Sequence, residues 1–451
     1  MQTKKTGSMA SIRGLLLALF TEAFSDNAWK LVVITLATRL LLPAGGVWDD
    51  SATHASQVTI SQAIQAFLIP MFLFALPAGI IADKWSKRSV ILAMKAVGII
   101  LMAMATAVLF FSPHNLWCPF LILGLMGAQS ATFNPAKNGI LPEILPTEKL
   151  SFANGIVQMT NMLAIIAGTG LGAALLFFDH GGENPSMTWT APFILTIMAT
   201  IAFLAALTIP KVPAAAEAAP EHPQDNALKR SLKTMLDSAR AIRSDRTLFL
   251  AVFGTALFWT MTSLSGQNLL VYSQALVHNM EHGELWQGIP TAAFGIGIAL
   301  GAFLSGKVSG DKIEPGLIPI GTSLFALFSL AIGVIMPEMA GTVAFLILFG
   351  AGAGILIVPL QALMQTHAPA NKIGAILAIS NTCDIIGLIL GSLLGVGMSF
   401  LGWSLQLTLI ISALVAIAAA LWSIYLLPGQ FVQALYNMSS RFGLGIKKVK
   451  L

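Results

Sequence analysis

Glu22, Asp26 and Lys30 stand four residues apart in the stretch "TEAFSDNAWK", residues 21–30, which is otherwise apolar. On a helix, positions i, i+4 and i+8 project from one face. A charged side chain at the centre of a hydrocarbon layer costs about 2.5–3.5 kcal/mol by insertion scales. Two chemistries fit such a row. The carboxylates attract a cation while Lys30 engages an anion, or a Glu–Lys or Asp–Lys pair ties helices together. Lys95 and Asp384 are further ionisable residues inside apolar stretches, and Gln267, Gln361, Gln365 and Asn381 are amides in the same kind of setting.

The elements that position these groups follow from composition. The chain has 451 residues, of which 56% are hydrophobic and 10% charged, against about a quarter charged in soluble domains. That leaves too little polar surface for water, and predicts an all-α polytopic membrane protein. The two cysteines, Cys118 and Cys383, sit in or near apolar runs, so neither a disulfide framework nor a metal-ligand spacing is expected. No cleavable signal peptide is expected, because the apolar run from Ser11 is long enough to remain as a spanning helix.

Twelve apolar runs are long enough to cross about 30 Å of hydrocarbon. They are 11–42, 58–82, 88–111, 116–136, 150–178 and 189–209, then 247–276, 285–306, 316–336, 341–366, 372–399 and 403–427. The odd-numbered connections hold no Lys or Arg, while the even-numbered ones hold Lys84, Lys87, Arg88, Lys137, Lys149, Lys307, Lys312 and Lys372. By the positive-inside rule both termini are cytoplasmic. Residues 1–209 and 247–427 are therefore expected as two six-helix bundles. Between them, 210–246 forms a cytoplasmic linker, in which Leu228, Leu232, Leu236, Ala239 and Ile242 share one face of an amphipathic helix. That helix either lies on the membrane surface or is a solvated connector. Residues 428–451 form a basic amphipathic tail with Phe431, Leu435, Met438 and Phe442 at helical spacing.

Small residues recur in matching places. Gly168, Gly170 and Gly172 lie in the fifth run, and Gly387, Gly391 and Gly395 in the eleventh. Such spacing lets helices approach closely in lipid. Between the second and third runs, "GIIADKWSKR" (79–88) resembles the loop signature of the major facilitator superfamily, with Ser86 where glycine is usual. The resemblance implies the two-bundle fold of that superfamily, with Gly79, Asp83, Lys84, Lys87 and Arg88 as structural and gating residues. It can be narrowed. "FSDNAWK", "FNPAKNGILPEI", "KLSFANG", "GTALFW" and "VPLQALMQ" are spread through the chain in the order found in the bacterial lysophospholipid transporter family.

That likeness implies a secondary transporter of the bacterial inner membrane, and not an enzyme. It would move lysophospholipids, chiefly lysophosphatidylethanolamine, from the outer to the inner leaflet by alternating access, for re-acylation. A downstream acyltransferase or acyl-carrier-protein synthetase is then an expected partner, beside the lipid substrate and membrane lipids. The end "IYLLPGQFVQALYNMSSRFGLGIKKVKL" and Gln267 are similar to the branch in which transporter and acyltransferase are fused; only the transporter half is expected here. Within the family likeness Asp26 attracts the ethanolamine ammonium or a coupling cation, Asn27 supports it and Lys30 engages phosphate. Lys95 matches a family lysine, and serves as a site residue, an ion-pair partner or a snorkelling group. Asp384 matches an acidic position and, with Asn381, is a candidate for cation coupling or for pairing between halves. Coupling to Na⁺ would fall on Asp26 or Asp384; otherwise no metal and no cofactor is expected. Lys137, near a cytoplasmic end, is assigned to gating or head-group release, and Gln267 and Gln361 are polar neighbours of the cavity.

Other readings remain at this level. The same fold exports amphipathic drugs or organic cations by proton antiport, and a scaffold recruiting an acyltransferase would need no transport. Six of the histidines (His54, His114, His180, His222, His278 and His282) are placed in loops or the linker, without a nucleophile and carboxylate in recognisable order. No Gly-Lys-Ser/Thr phosphate loop occurs, and nothing points to nucleic acid.

Overall fold

The computed structural model describes residues 12–41, 48–145, 147–172, 174–176, 185–210, 227–278, 286, 288–309, 313–369 and 373–441. For Gly79, Asp83, Lys84, Lys149, Leu228, Leu232 and Met438 the description stops at the backbone, and Lys312, Lys372 and Phe442 lie outside the described residues. Every regular element in the described residues is helical. The first six long helices are α1 (Arg13–Leu41), α2 (Asp50–Lys84), α3 (Lys87–Phe111), α4 (Trp117–Ile144), α5 (Thr147–Leu171) and α6 (Thr190–Ala206). After α7 (Ala227–Ser244) come α8 (Arg246–Val277), α9 (Ile289–Ser309), α10 (Leu317–Ile335), α11 (Met339–His367), α12 (Ile373–Phe400) and α13 (Leu405–Leu426). The chain then forms α14 (Pro428–Arg441).

A helix lies on each of the twelve apolar runs. Among the described residues, eight have the length and composition to cross a membrane. Their outward faces are apolar, with Phe110 and Phe111 of α3, Phe303 of α9 and Leu421 of α13 each more than half exposed, as lipid contact requires. α1 carries its three central charges, and α6 has 17 residues. Helix ends follow local chemistry. Ser404 accepts a hydrogen bond from the Leu407 amide at 3.2 Å and starts α13. Gly402, at φ +73°, makes the turn that separates it from α12.

The chain divides into two compact units. One holds α1, Gln62–Leu228 and Val277–Gly288; the other holds Trp48–Ser61, Lys229–Leu276 and Ile289–Leu451. In the first unit, α1 packs on α4, α5 and α6, and α3 on α4 and α6. Its core gathers Leu15 and Leu19 of α1, Ile91 of α3, and Phe133 and Ile140 of α4. Gly168 and Gly172 bring α5 against α1: a Cβ at Gly168 would stand 3.1 Å from the Phe24 Cα, and one at Gly172 3.0 Å from the Ala28 Cα. In the second unit the eleventh-run glycines do the same for α8. Gly391 meets Ser263 and Leu264, and Gly395 meets Gln267. Close glycine contact replaces hydrophobic burial as the glue here, since lipid is as apolar as leucine. α9 and α11 meet through Gly297, Gly301, Gly350 and Gly354.

Helix α2 begins eight residues before the expected 58. Asp49 caps it, accepting the Ala52 amide at 2.8 Å. The added turns are polar but buried against α8 and α12. Gln57 Nε2 donates to Asn268 Oδ1 at 3.0 Å, Ser56 bonds to Gln274, and Ser61 lies 2.7 Å from Ser392 Oγ. His54, expected in a loop, therefore sits on a helix, with Nδ1 2.5 Å from Ser399 Oγ and its ring edge-on to Phe400. Hydropathy cannot see these turns because side-chain hydrogen bonds, not apolar area, stabilise them. α7 is helical as expected, but its face is divided. Ile242 enters a core with Leu248 and Met364, whereas Leu236 and Ala239 are exposed. Among the described side chains of α14, Ala434 is buried, Phe431 is half-buried beside it and Leu435 is exposed.

Candidate functional site

The central charges of α1 are met by α3 and α4 within the first unit. Glu22 is the hub: Lys95 Nζ donates to it at 2.5 Å and Gln129 Nε2 at 2.6 Å. Gln129 also donates to the Met94 carbonyl at 3.0 Å, which fixes its orientation. Lys95 is 3% exposed and Glu22 11%, and the Phe133 ring lies 4.9 Å from the ammonium. An acid, a base and an amide are thus mutually satisfied inside an apolar layer, the arrangement that a buried charge requires.

Asp26, one turn along, accepts a hydrogen bond from Ser130 Oγ at 2.6 Å. Thr21, Glu22, Ser25, Asp26, Lys95 and Gln129 line one narrow cleft, closed on its apolar side by Met102 and Met126. Lys30 does not reach it; its ammonium sits 4.6 Å over the Phe67 ring, a cation–π contact. Asn27 turns away too. Its Nδ2 donates to the Ala23 carbonyl at 2.7 Å, and a Cβ at Gly168 of α5 would come within 3.2 Å of its Cβ. Lys137 is half-buried two turns beyond Ser130 on α4, within electrostatic reach of Glu22 and Asp26.

Gln129 and Ser130 were not singled out from the sequence. The signal was an adjacent polar pair in the middle of "GLMGAQSATFNPAKNG", ahead of Pro135.

The remaining candidates belong to the second unit. Asp384 on α12 has Thr255 and Trp259 of α8 beside it, and its Oδ1 is buried with no hydrogen-bond partner among the described residues. Gln267 is 2% exposed and donates to the Gln57 carbonyl at 3.0 Å. Asn381 and Gln361 are exposed on α12 and α11. Among the described residues, no group of three or more His, Cys, Asp or Glu side chains is arranged to hold a metal ion.

Of the motif at 79–88, Lys87 and Arg88 have described side chains. Lys87 pairs with Glu143 of α4, and its stem leaves no room for a side chain at Gly139, where a Cβ would meet its Cδ at 3.0 Å. Arg88 donates to the Ile209 carbonyl at 2.7 Å and the Leu207 carbonyl at 3.0 Å. It thereby satisfies carbonyls just past the end of α6, where the helix dipole favours a cation.

Comparison with known proteins agrees with this architecture. The chain is 28% identical over 377 residues to a lysophospholipid transporter, LplT, of Pectobacterium carotovorum, covering 82% of each chain. It is 29% identical over 373 residues to LplT of Serratia proteamaculans, covering 81% of this chain and 82% of that protein. Among solved structures it is similar to a POT family transporter in complex with a thioalcohol-conjugated peptide. The TM-score is 0.68 at 14% identity, over 93% of this chain and 96% of that one. The nucleoside transporter NupG matches with a TM-score of 0.66 at 14% identity, over 91% and 99%. The family model of the Major Facilitator Superfamily matches residues 15–392, and the chain belongs to that superfamily.

Proposed function

We propose that the protein is a lysophospholipid transporter of the bacterial inner membrane. It has twelve spans and cytoplasmic termini, with six-helix bundles at 1–209 and 247–427, a linker at 210–246 and a tail at 428–451. The substrate, lysophosphatidylethanolamine, moves from the outer to the inner leaflet by alternating access for re-acylation by a downstream acyltransferase. One observation carries the reading. The charged cleft of α1, α3 and α4 occurs in a chain whose relatives are lysophospholipid transporters across more than four-fifths of its length.

Within the cleft, Glu22, Lys95 and Gln129 satisfy one another, so Asp26 is the carboxylate open to an incoming cation. It takes the ethanolamine ammonium or a coupling Na⁺ or H⁺; Lys30, one turn beyond the cleft, engages the phosphate, and Lys137 acts in gating or head-group release. Asp384, with its unpartnered Oδ1, is the coupling carboxylate of the other unit. Lys87 and Arg88 act in gating by holding α3 to α4 and to the end of α6.

The test uses liposomes with labelled lysophosphatidylethanolamine in one leaflet, with sodium and proton gradients imposed separately. The intact protein moves the label and Asp26→Asn, which can keep the Ser130 contact, does not. If neither exceeds empty liposomes, the assignment fails. Proton uptake driven by an amphipathic drug in the same liposomes would replace it with export by antiport.

A further inference from the structure

The second unit contains a cavity of about 440 Å³ that plays no part in the site above. It lies between α8, α10, α11, α13 and the start of α14, and falls in the usual size range for small-ligand sites. Its lining is graded along its length. Arg246 and Thr247 open α8, His367 closes α11 and Gln430 stands in the first turn of α14, so the polar groups gather at one end. From there the wall turns apolar through Leu250 and Leu257 and reaches Met261. From Arg246 to Met261 α8 rises about 22 Å, more than the roughly 15 Å depth of one leaflet's acyl chains. Thr322, in the apolar body, turns its hydroxyl back onto the Ile318 carbonyl of its own helix at 2.7 Å.

The cavity wall reaches the outer surface of the unit at two rings. Phe253 and Trp422 meet edge to face at its lip, with ring centroids 6.1 Å apart, and each is almost half exposed on the outer surface of apolar helices. An occupant therefore enters from lipid.

The charge at the mouth decides its head. Arg246 makes no hydrogen bond or ion pair among the described residues. The nearby Asp245 is engaged: it accepts the amides of Thr247 at 2.8 Å and Leu248 at 3.0 Å, and faces His367 Nδ1 at 3.5 Å. A guanidinium without a partner among the described residues, set over a long apolar pocket, suits a phosphate of net negative charge. A head carrying its own ammonium would set that ammonium beside Arg246.

We propose that this cavity is a second lipid site, which holds one acyl chain of an anionic membrane phospholipid with its phosphate on Arg246. The occupant differs from the transported zwitterion, and the site does not depend on the transport reading. Because Gln430 of α14 and Ile242 of α7 stand at or next to this end of the unit, an occupied cavity ties both amphipathic helices to the membrane lipid.

The purified full chain is photolabelled in nanodiscs with phosphatidylglycerol bearing a mid-chain diazirine. Phosphatidylcholine and lysophosphatidylethanolamine with the same label, and unlabelled inorganic phosphate as competitor, form the other arms. Phosphatidylglycerol adducts should map to Leu257, Met261 and Trp422. Arg246→Gln should weaken its half-saturation about tenfold, the loss of one charge-assisted contact, with no change for phosphatidylcholine. Ala419→Phe, which fills the cavity, should abolish the adducts. Labelling as dense on lipid-facing Phe303 and Leu348 as in the cavity overturns the proposal. So does an Arg246→Gln variant that behaves like the parent, or stronger labelling by lysophosphatidylethanolamine than by phosphatidylglycerol. Competition by inorganic phosphate alone would reassign Arg246 to a soluble anion and also overturn it.

Discussion

Replacing Lys95 with methionine tests whether the Glu22 hub stabilises the bundle as its geometry implies. Lys95 is 3% exposed and donates at 2.5 Å to a carboxylate that is itself only 11% exposed. Without the ammonium, Glu22 keeps a single strong donor, Gln129 at 2.6 Å. Breaking one side of a buried pair costs about 3–5 kcal/mol, because the other charge is left uncompensated. Changing both partners to neutral groups of similar volume, Glu22→Gln with Lys95→Met, removes that charge and is often close to neutral. The double variant should therefore recover most of the loss, leaving a coupling energy of about 2–4 kcal/mol in the cycle. Denaturant titration of the parent, both single variants and the double variant in one detergent supplies the four free energies. If Lys95→Met is as stable as the parent, or the double variant is no better than Lys95→Met, the hub is not a compensated pair. Transport by a stable double variant then shows whether the pair also touches the substrate.

Two further outcomes follow. Gly350→Val places a Cβ within 2.9 Å of the Ile298 amide nitrogen and on the Phe294 carbonyl. It should destabilise the second unit by about 1–3 kcal/mol, read from the same titration, while Gly397→Ala, with nothing within 4 Å, should not. The amides of Leu248 and Thr247, with His367, hold the Asp245 carboxyl below its ordinary value of 3.8. Its contribution to stability is fully present above pH 3.8 and is lost as pH falls through the lower folded value. Asp245→Asn should remove that part of the acid-side slope in a stability–pH series.

The twelve apolar runs coincide with helices because length and hydropathy are properties of single segments. The charged row on α1 was legible for the same reason, since four-residue spacing defines a face before any partner is known. Its meaning was not. Spacing put Glu22 with Asp26 and Lys30, but α3 and α4 supply the hydrogen-bond partners: Lys95 and Gln129 for Glu22, and Ser130 for Asp26. Lys30 went to an aromatic face instead, and Asn27 to its own backbone. These outcomes depend on which helices are neighbours, and spacing along one helix carries no such information. The start of α2 was missed for a related reason. Residues 50–57 read as a polar connection until Asn268, Gln274 and Ser399 are seen to receive their side chains.

The four glycines between α9 and α11 have a mechanical consequence. With Gly297 and Gly301 of one helix set against Ile347, Gly350 and Ala351 of the other, the two backbones touch with no flexible side chains between them. A rotamer change cannot absorb a displacement across such a seam, and parting the helices forfeits close packing that lipid does not replace. α9 and α11 must therefore travel as one stiff rod in any working cycle. Displacement within this unit falls instead to joints lined by side chains that can re-pair, such as the amide and serine rungs along α8 and α12. The seam is where this protein does not bend.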